Sequence, residues 1–194
     1  WIQPASGDAG GALGSALIGW YVYNNQSRKV EPKLDSMKGG YLGPNFLKDE
    51  IEEELLKCKA KFHKLDDNLL IERVTDELIS EKAIGWMQGN MEFGPRSLGN
   101  RSILADPRSP KMQKQLNLKV KYRESFRPFA PSVLSEHTNE WFDIDVDSPY
   151  MLFVANVRKD KCIKITEKHN KLFGIEKLNI TRSEIPAVTH VDYS

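Results

Sequence analysis

The chain has 194 residues, 40% hydrophobic and 28% charged, a balance suited to one sizeable core or one and a half domains and not to general disorder. Lys and Arg total 28 against 27 Asp and Glu, so a net charge of +1 supplies no global field for nucleic acid or anionic lipid, and any basic site must be a local concentration. The two cysteines, Cys58 and Cys162, form no CxxC or Cys/His cluster, which argues against a disulfide framework and a zinc site and for a reducing cytoplasm.

No apolar run approaches the roughly 20 residues of a spanning helix, and the first residues lack a signal peptide's basic and apolar regions. The sequence opens on Trp1 without an initiator Met and stops at "IPAVTHVDYS", an apolar run that reads as a strand followed by nothing. The expectation is a fragment of a longer polypeptide.

Asp8 to Asn25 reads as a helix, with Ala12, Leu13, Ala16, Leu17 and Trp20 at helical spacing and Asp8 as its cap. Gln26 to Tyr41 is polar and dotted with Gly and Pro, a linker without internal repeat, and the domain boundary is placed there. The expected organisation is a tail at 1–30, a linker at 31–44 and a domain at 45–194. Within that domain, helices are predicted at 47–57 and at 69–80, the latter with Leu70, Val74, Leu78 and Ile79 inward.

"AIGWMQG" reads as a buried strand, followed by turns over 91–100, a strand at 102–105 and a helix at 110–119 with Pro110 in its first turn. Residues 129–134 read as strand, 136–141 as a short helix, 150–157 as a strong strand and 185–191 as another. The cation-rich segment at 159–182 reads as a solvated insertion, helical in places. Strands and helices mixed in this way predict an α/β or α+β fold with a mixed sheet.

The chemistry concentrates in "MEFGPRSLGNRSILADPRS" at 91–109 and "KVKYRESFRPFAP" at 119–131, which bring together Arg96, Arg101, Lys121, Arg123 and Arg127. Arginine's planar fork binds phosphate oxygens in pairs and stays charged, so several arginines on rigid turns make an anion site suited to a polyphosphate. Glycines around Arg96 allow a tight turn that brings backbone N–H groups near a ligand. If 119–127 is extended, Lys121, Arg123 and Arg127 share one cationic face. Two alternatives stand beside this one: Glu92, Asp106 and Glu124 neutralise the arginines in a structural network, or the cations and Tyr122, Phe126 and Phe129 grip RNA.

The motifs "GNMEFGPRSLGNRSILADPRS", "LNLKVKYRESFRPFAPSVL" and "IPAVTHVD" resemble the carboxy-terminal region of NodU/CmcH-type O-carbamoyltransferases, and "QPASGDAGGALGSAL" resembles the end of that family's amino-terminal actin/Hsp70-like domain. The likeness covers nearly the whole chain except 159–182. It implies a YrdC-like twisted mixed sheet with flanking helices, truncated at its C-terminus and preceded by a helix of an ASKHA-type ATPase-fold domain.

The resemblance further implies a cytoplasmic enzyme in which the YrdC-like domain activates carbamoyl phosphate with ATP and Mg²⁺, giving carbamoyl-adenylate and pyrophosphate. The upstream domain then passes the carbamoyl group to a hydroxyl of a sugar, nodulation factor or antibiotic-like acceptor. By the same likeness Lys121, Arg127 and Arg96 serve catalysis at the phosphate and carbamoyl groups, and Arg123, Arg101 and Asn117 bind substrate. Arg101 and Arg123 are alternatively structural, set against Glu92 or Asp106.

Asp8 of "GDAGG" matches a carboxylate that helps hold a divalent metal, iron among the candidates, in the complete parent, whose other ligands lie upstream. In the chain by itself Asp8 is read as a helix cap without bound metal, and His190 as a structural histidine. Where the family has a Gly and then an Ala-Arg pair after "HVD", this sequence has Tyr193 and Ser194, so a site arginine is missing and the fragment alone is expected to turn over little. A membrane is not among the implied partners, nucleic acid is not favoured, and a homodimer stays open, with an exposed edge strand at 185–191 expected to pair non-natively. A non-catalytic phosphate- or RNA-binding module, or transfer to a tRNA or protein acceptor, is the alternative function.

Overall fold

The computed structural model describes residues 3–32 and 34–194; residues 1, 2 and 33, which fall in the expected tail and linker, lie outside the described residues. The chain divides into two compact units. The first comprises Trp1–Leu65, Gly85–Ser102 and Pro149–Leu152, and the second Asp66–Ile84, Ile103–Ser148 and Phe153–Ser194. The segment 31–44 lies inside the first unit.

Helix α1 spans Asp8–Ile18 and runs on through a π-helical turn at Gly19–Tyr23. Asp8 is its first helical residue and Gly7, at φ 134°, occupies the cap position without a side-chain hydrogen bond, so the expected Asp8 cap is corrected. Asp8 instead places a carboxylate in the first turn, where the helix dipole favours it. Helix α2, Lys48–Lys57, starts where Glu50 Oε2 accepts the Leu47 N–H at 2.8 Å and ends beside Lys57. Helix α3, Asp67–Ile79, is capped by Asp66, whose carboxylate accepts the Leu69 N–H at 2.9 Å. None of its residues is buried, and Ile79 is 58% exposed, so the inward stripe expected from spacing is not a core face here.

Strands β1, Ile84–Met87, and β2, Arg101–Leu104, pair as a two-stranded antiparallel sheet. Alternate residues of β1 are half-buried and exposed, which corrects the buried strand expected from its apolar composition. Helix α4, Met112–Lys119, begins two residues after Pro110. A 3-10 turn at Ser135–His137 leads into the single-turn α5, Thr138–Trp141, and the 159–182 segment holds the short α6, Glu167–Asn170, between 3-10 turns at Lys159–Lys161 and Gly174–Asn179.

The fold is thus mixed α/β, but the larger sheet expected from sequence is absent among the described residues, because three predicted strands do not form. In 129–134, Pro131 removes a ladder donor, and Pro128 removes another just before it. In 150–157, Met151 has φ 52°, and only the far end pairs, through an isolated antiparallel bridge between Phe142 and Val157. In 185–191, Pro186 removes one N–H, and side chains take up other backbone groups: Ser183 Oγ accepts the Ile185 N–H at 3.0 Å, and Thr189 Oγ1 donates to Ile185 O at 2.9 Å. The edge strand expected there is therefore corrected as well.

The second unit's core is built from Met112, Leu116 and Ala187, with Ala105 and Phe129 packed against them. Asn117, on the same buried face of α4 as Leu116, is 0% exposed.

Candidate functional site

The Arg96 loop lies in the first unit and the 119–131 motif in the second, and each is organised by a buried polar side chain. In the first unit the 92–101 loop wraps around Glu92, which is 4% exposed. Its Oε1 accepts N–H groups from Leu98 at 2.7 Å, Asn100 at 2.9 Å and Arg101 at 3.4 Å. Its Oε2 lies 3.1 Å from Arg101 Nε as an ion pair, without the alignment of a hydrogen bond.

Burial acts to raise the Glu92 pKa, but the backbone N–H groups of Leu98, Asn100 and Arg101 outweigh it and hold the carboxyl below its ordinary value. Gly94, at φ 97°, turns the chain where an added Cβ would come within 3.3 Å of Ala5 Cβ. Arg101 Nη2 donates back to the Gly94 carbonyl, so the guanidinium is used within the loop.

Arg96 differs from Arg101. It is exposed, and among the described residues it has no hydrogen bond from its side chain and no carboxylate partner. It stands at a small, shallow recess whose wall includes Ala5, Met37, Phe93, Leu98 and Tyr150. Tyr150 donates to Asp35 Oδ2 there at 2.5 Å, and burial first, then the Asp35 carboxylate, pushes its phenol up to about 12. Asp35 is held below its ordinary value, since the Tyr150 hydroxyl and the N–H groups of Gly39 and Met37 overcome the opposing effect of burial.

In the second unit α4 ends at Lys119 and the chain turns sharply, with Tyr122 at φ 50°. The extended 119–127 segment with one cationic face is therefore corrected. The Lys121 and Arg123 N–H groups fold back onto the carbonyls of Leu116 at 2.9 Å and Asn117 at 3.0 Å, a helix-end closure that alternation cannot express. Asn117 fixes the turn from within: its Nδ2 donates to Ser125 O at 3.1 Å and Arg127 O at 2.9 Å, and its Oδ1 accepts Arg123 Nε at 2.6 Å. Arg123 also covers the Phe129 ring at 4.9 Å.

Lys121 and Arg127 are left pointing to solvent. Among the described residues Lys121 has no side-chain hydrogen bond or ion pair, and Arg127 has a single exposed ion pair, 3.8 Å from Glu124. An exposed pair of that length contributes about 0–1 kcal/mol and is readily displaced.

The acidic residues therefore neutralise selectively. Glu92 takes Arg101, Asp106 takes Arg108 at 2.6 Å, and Glu124 only brushes Arg127. The Glu92–Arg101 pair is the structural alternative read from the sequence, whereas Arg108, the hold of Glu92 on three backbone N–H groups and the hold of Asn117 on its turn escaped sequence reading. The signal for Glu92 is a carboxylate leading a Gly/Pro turn whose N–H groups need an acceptor; for Asn117 it is an amide beside Leu116 on a helix's apolar face. Asp8 has no companions in any cluster of three or more His, Cys, Asp or Glu residues among those described. His190 Nδ1 lies 3.2 Å from Asp192. No described helix is long and apolar enough to cross a membrane.

Comparison with known proteins agrees with the motifs that frame these loops. Over 196 residues the chain is 53% identical to the uncharacterized protein sll1178 of Synechocystis, covering 100% of this chain and 32% of that one. Nodulation protein NolNO of Sinorhizobium fredii is 38% identical, with 99% of this chain and 25% of NolNO aligned. The 3'-hydroxymethylcephem-O-carbamoyltransferase of Streptomyces clavuligerus is 30% identical, covering 84% of this chain and 29% of that enzyme. The chain spans only 25 to 32% of these relatives. Residues 75–194, which hold both loops and run through the 159–182 segment, match the Carbamoyltransferase C-terminus family, and the chain belongs to that family.

Proposed function

We propose that this chain is the part of an ATP-dependent O-carbamoyltransferase that binds ATP and carbamoyl phosphate and forms carbamoyl-adenylate. The observation that carries the reading is selective neutralisation: buried partners occupy Arg101 and Arg123, whereas Lys121, Arg127 and Arg96 keep their charge available on fixed turns. Cations on fixed turns with no carboxylate partner, or for Arg127 only a long exposed one, suit a ligand that brings several negative charges.

In this reading carbamoyl phosphate loses phosphate to water, leaving carbamate. A carbamate oxygen attacks the α-phosphorus of ATP, the α–β bridging bond breaks, and pyrophosphate departs. Lys121 and Arg127 hold phosphate and carbamoyl oxygens and offset the charge that builds on them. Arg96 offers an anion contact within its own unit. Rate comes from positioning and electrostatic stabilisation, with no side-chain nucleophile required.

Mg²⁺ would enter on the phosphate oxygens of ATP. The described residues contain no cluster of three or more metal-ligating side chains, so no step is assigned to a protein metal centre. The divalent metal implied through Asp8 and the hydroxyl-bearing acceptor belong, in this proposal, to a complete carbamoyltransferase. The acceptor class is taken from the named activity of the cephem carbamoyltransferase.

Calorimetric titration of MgATP, with and without carbamoyl phosphate, tests the reading. Saturable binding is expected, and Lys121→Ala should weaken it at least about tenfold, since a charge-assisted hydrogen bond contributes about 1.5–3 kcal/mol. Wild-type affinity in Lys121→Ala would remove that residue from the site. Binding of RNA with a steep salt dependence, and none of carbamoyl phosphate, would favour the non-catalytic alternative.

A further inference from the structure

We infer that Glu92 and Arg101 form a positioning pair whose task is to present Arg96 to an anionic ligand, a deepening that rests on the function proposed above. The loop between Phe93 and Asn100 contains two left-handed glycines, Gly94 at φ 97° and Gly99 at φ 121°, and so has weak conformational preferences of its own. A single buried carboxylate supplies the missing constraint. Glu92 Oε1 gathers the N–H groups of Leu98, Asn100 and Arg101, all from the far side of Arg96.

Arg101 returns the constraint to the near side, for its guanidinium sits 3.1 Å from Glu92 Oε2 and donates to the Gly94 carbonyl. Tyr41 adds a further tie, donating to Leu98 O at 2.7 Å. Arg96 stands at the middle of a loop sewn on both flanks, yet its own side chain is untied.

The charge on Glu92 is specific to this task. A neutral acceptor would serve the three N–H groups less strongly, and would leave the partly buried Arg101 without its counter-ion. Arg101 is accordingly a positioning residue and not a ligand contact. Glu92 touches no ligand and acts through Arg96.

The test uses the full-length protein, with Glu92→Gln, Arg96→Ala and the double variant. Amide hydrogen exchange at Leu98 and Asn100 reads the loop without ligand, and calorimetry reads affinity for carbamoyl phosphate and MgATP. Glu92→Gln is expected to speed exchange at those amides and weaken binding about tenfold, while the double variant stays within about threefold of Arg96→Ala, since residues acting as a unit are non-additive.

Unchanged exchange in Glu92→Gln overturns the inference, as does faster exchange with wild-type affinity. Losses that multiply in the double variant also overturn it, because Glu92 would then act independently of Arg96. A wild-type protein that binds neither ligand overturns the proposed function, and the exchange measurement alone then decides whether Glu92 pins the loop.

Discussion

The 92–101 loop and the turn after α4 each carry exposed cations, on different kinds of anchor. Glu92 binds three backbone N–H groups and a guanidinium, so its anchor is a charge that attracts donors. Asn117 binds two carbonyls and a guanidinium, so its anchor must be both donor and acceptor, which a carboxylate cannot be. The difference follows from the chain's direction at each place. One loop turns its N–H groups inward; the other, leaving a helix C-terminus, turns carbonyls inward.

The largest effect should come from the amide anchor. Asn117→Leu would leave the Ser125 and Arg127 carbonyls and the Arg123 guanidinium short of partners in a buried place, at a cost of about 3 kcal/mol in urea unfolding. A cost below about 1 kcal/mol would mean that water substitutes for the amide and that the turn is less dependent on Asn117 than its burial suggests.

The fold was legible where short-range pattern suffices. Helices α2, α3 and α4 and the two paired strands lie close to their expected positions, because capping and periodicity are local. The strands predicted at 150–157 and 185–191 failed for reasons that apolar runs do not reveal: Met151 sits at φ 52° in the first, and in the second Ser183 and Thr189 claim backbone groups of Ile185 that a ladder would use. The candidate site divides in the same way. Lys121, Arg127 and Arg96 stood out as cations on rigid turns, and the sequence also offers Arg101 and Arg123 as structural candidates against Glu92 or Asp106; that Arg123 is instead held by Asn117 depends on an amide approaching from within, of which spacing along the chain carries no sign.

Acid should separate the two anchors, with a smaller effect than the Asn117 substitution. The folded-state pKa of Glu92 lies below its ordinary value of 4.5, so its contribution is fully present above that value and is lost as pH falls through the lower folded one. Protection of the Leu98 and Asn100 amides, taken relative to intrinsic exchange at each pH, should therefore fall in acid before that of Arg123, whose N–H is held by the Asn117 backbone carbonyl in a turn organised by a neutral amide. Simultaneous loosening would show that the charge of Glu92 is not what holds its loop.

The smallest effect is expected at the exposed Arg127–Glu124 pair. Glu124→Gln should change unfolding free energy by less than about 0.5 kcal/mol, and if Arg127 meets an anion, should slightly raise affinity for carbamoyl phosphate by removing a competitor. Destabilisation beyond about 1 kcal/mol would make Glu124 a structural partner like Glu92.

The chain passes from one unit to the other after Leu65, Ile84, Ser102, Ser148 and Leu152, so neither unit is written as one uninterrupted stretch. A recombination event with a single crossover cannot transplant either unit whole. The Arg96 loop and the Lys121 turn are consequently bound to a common inheritance, and swaps between relatives would have to exchange almost the entire region or disrupt both.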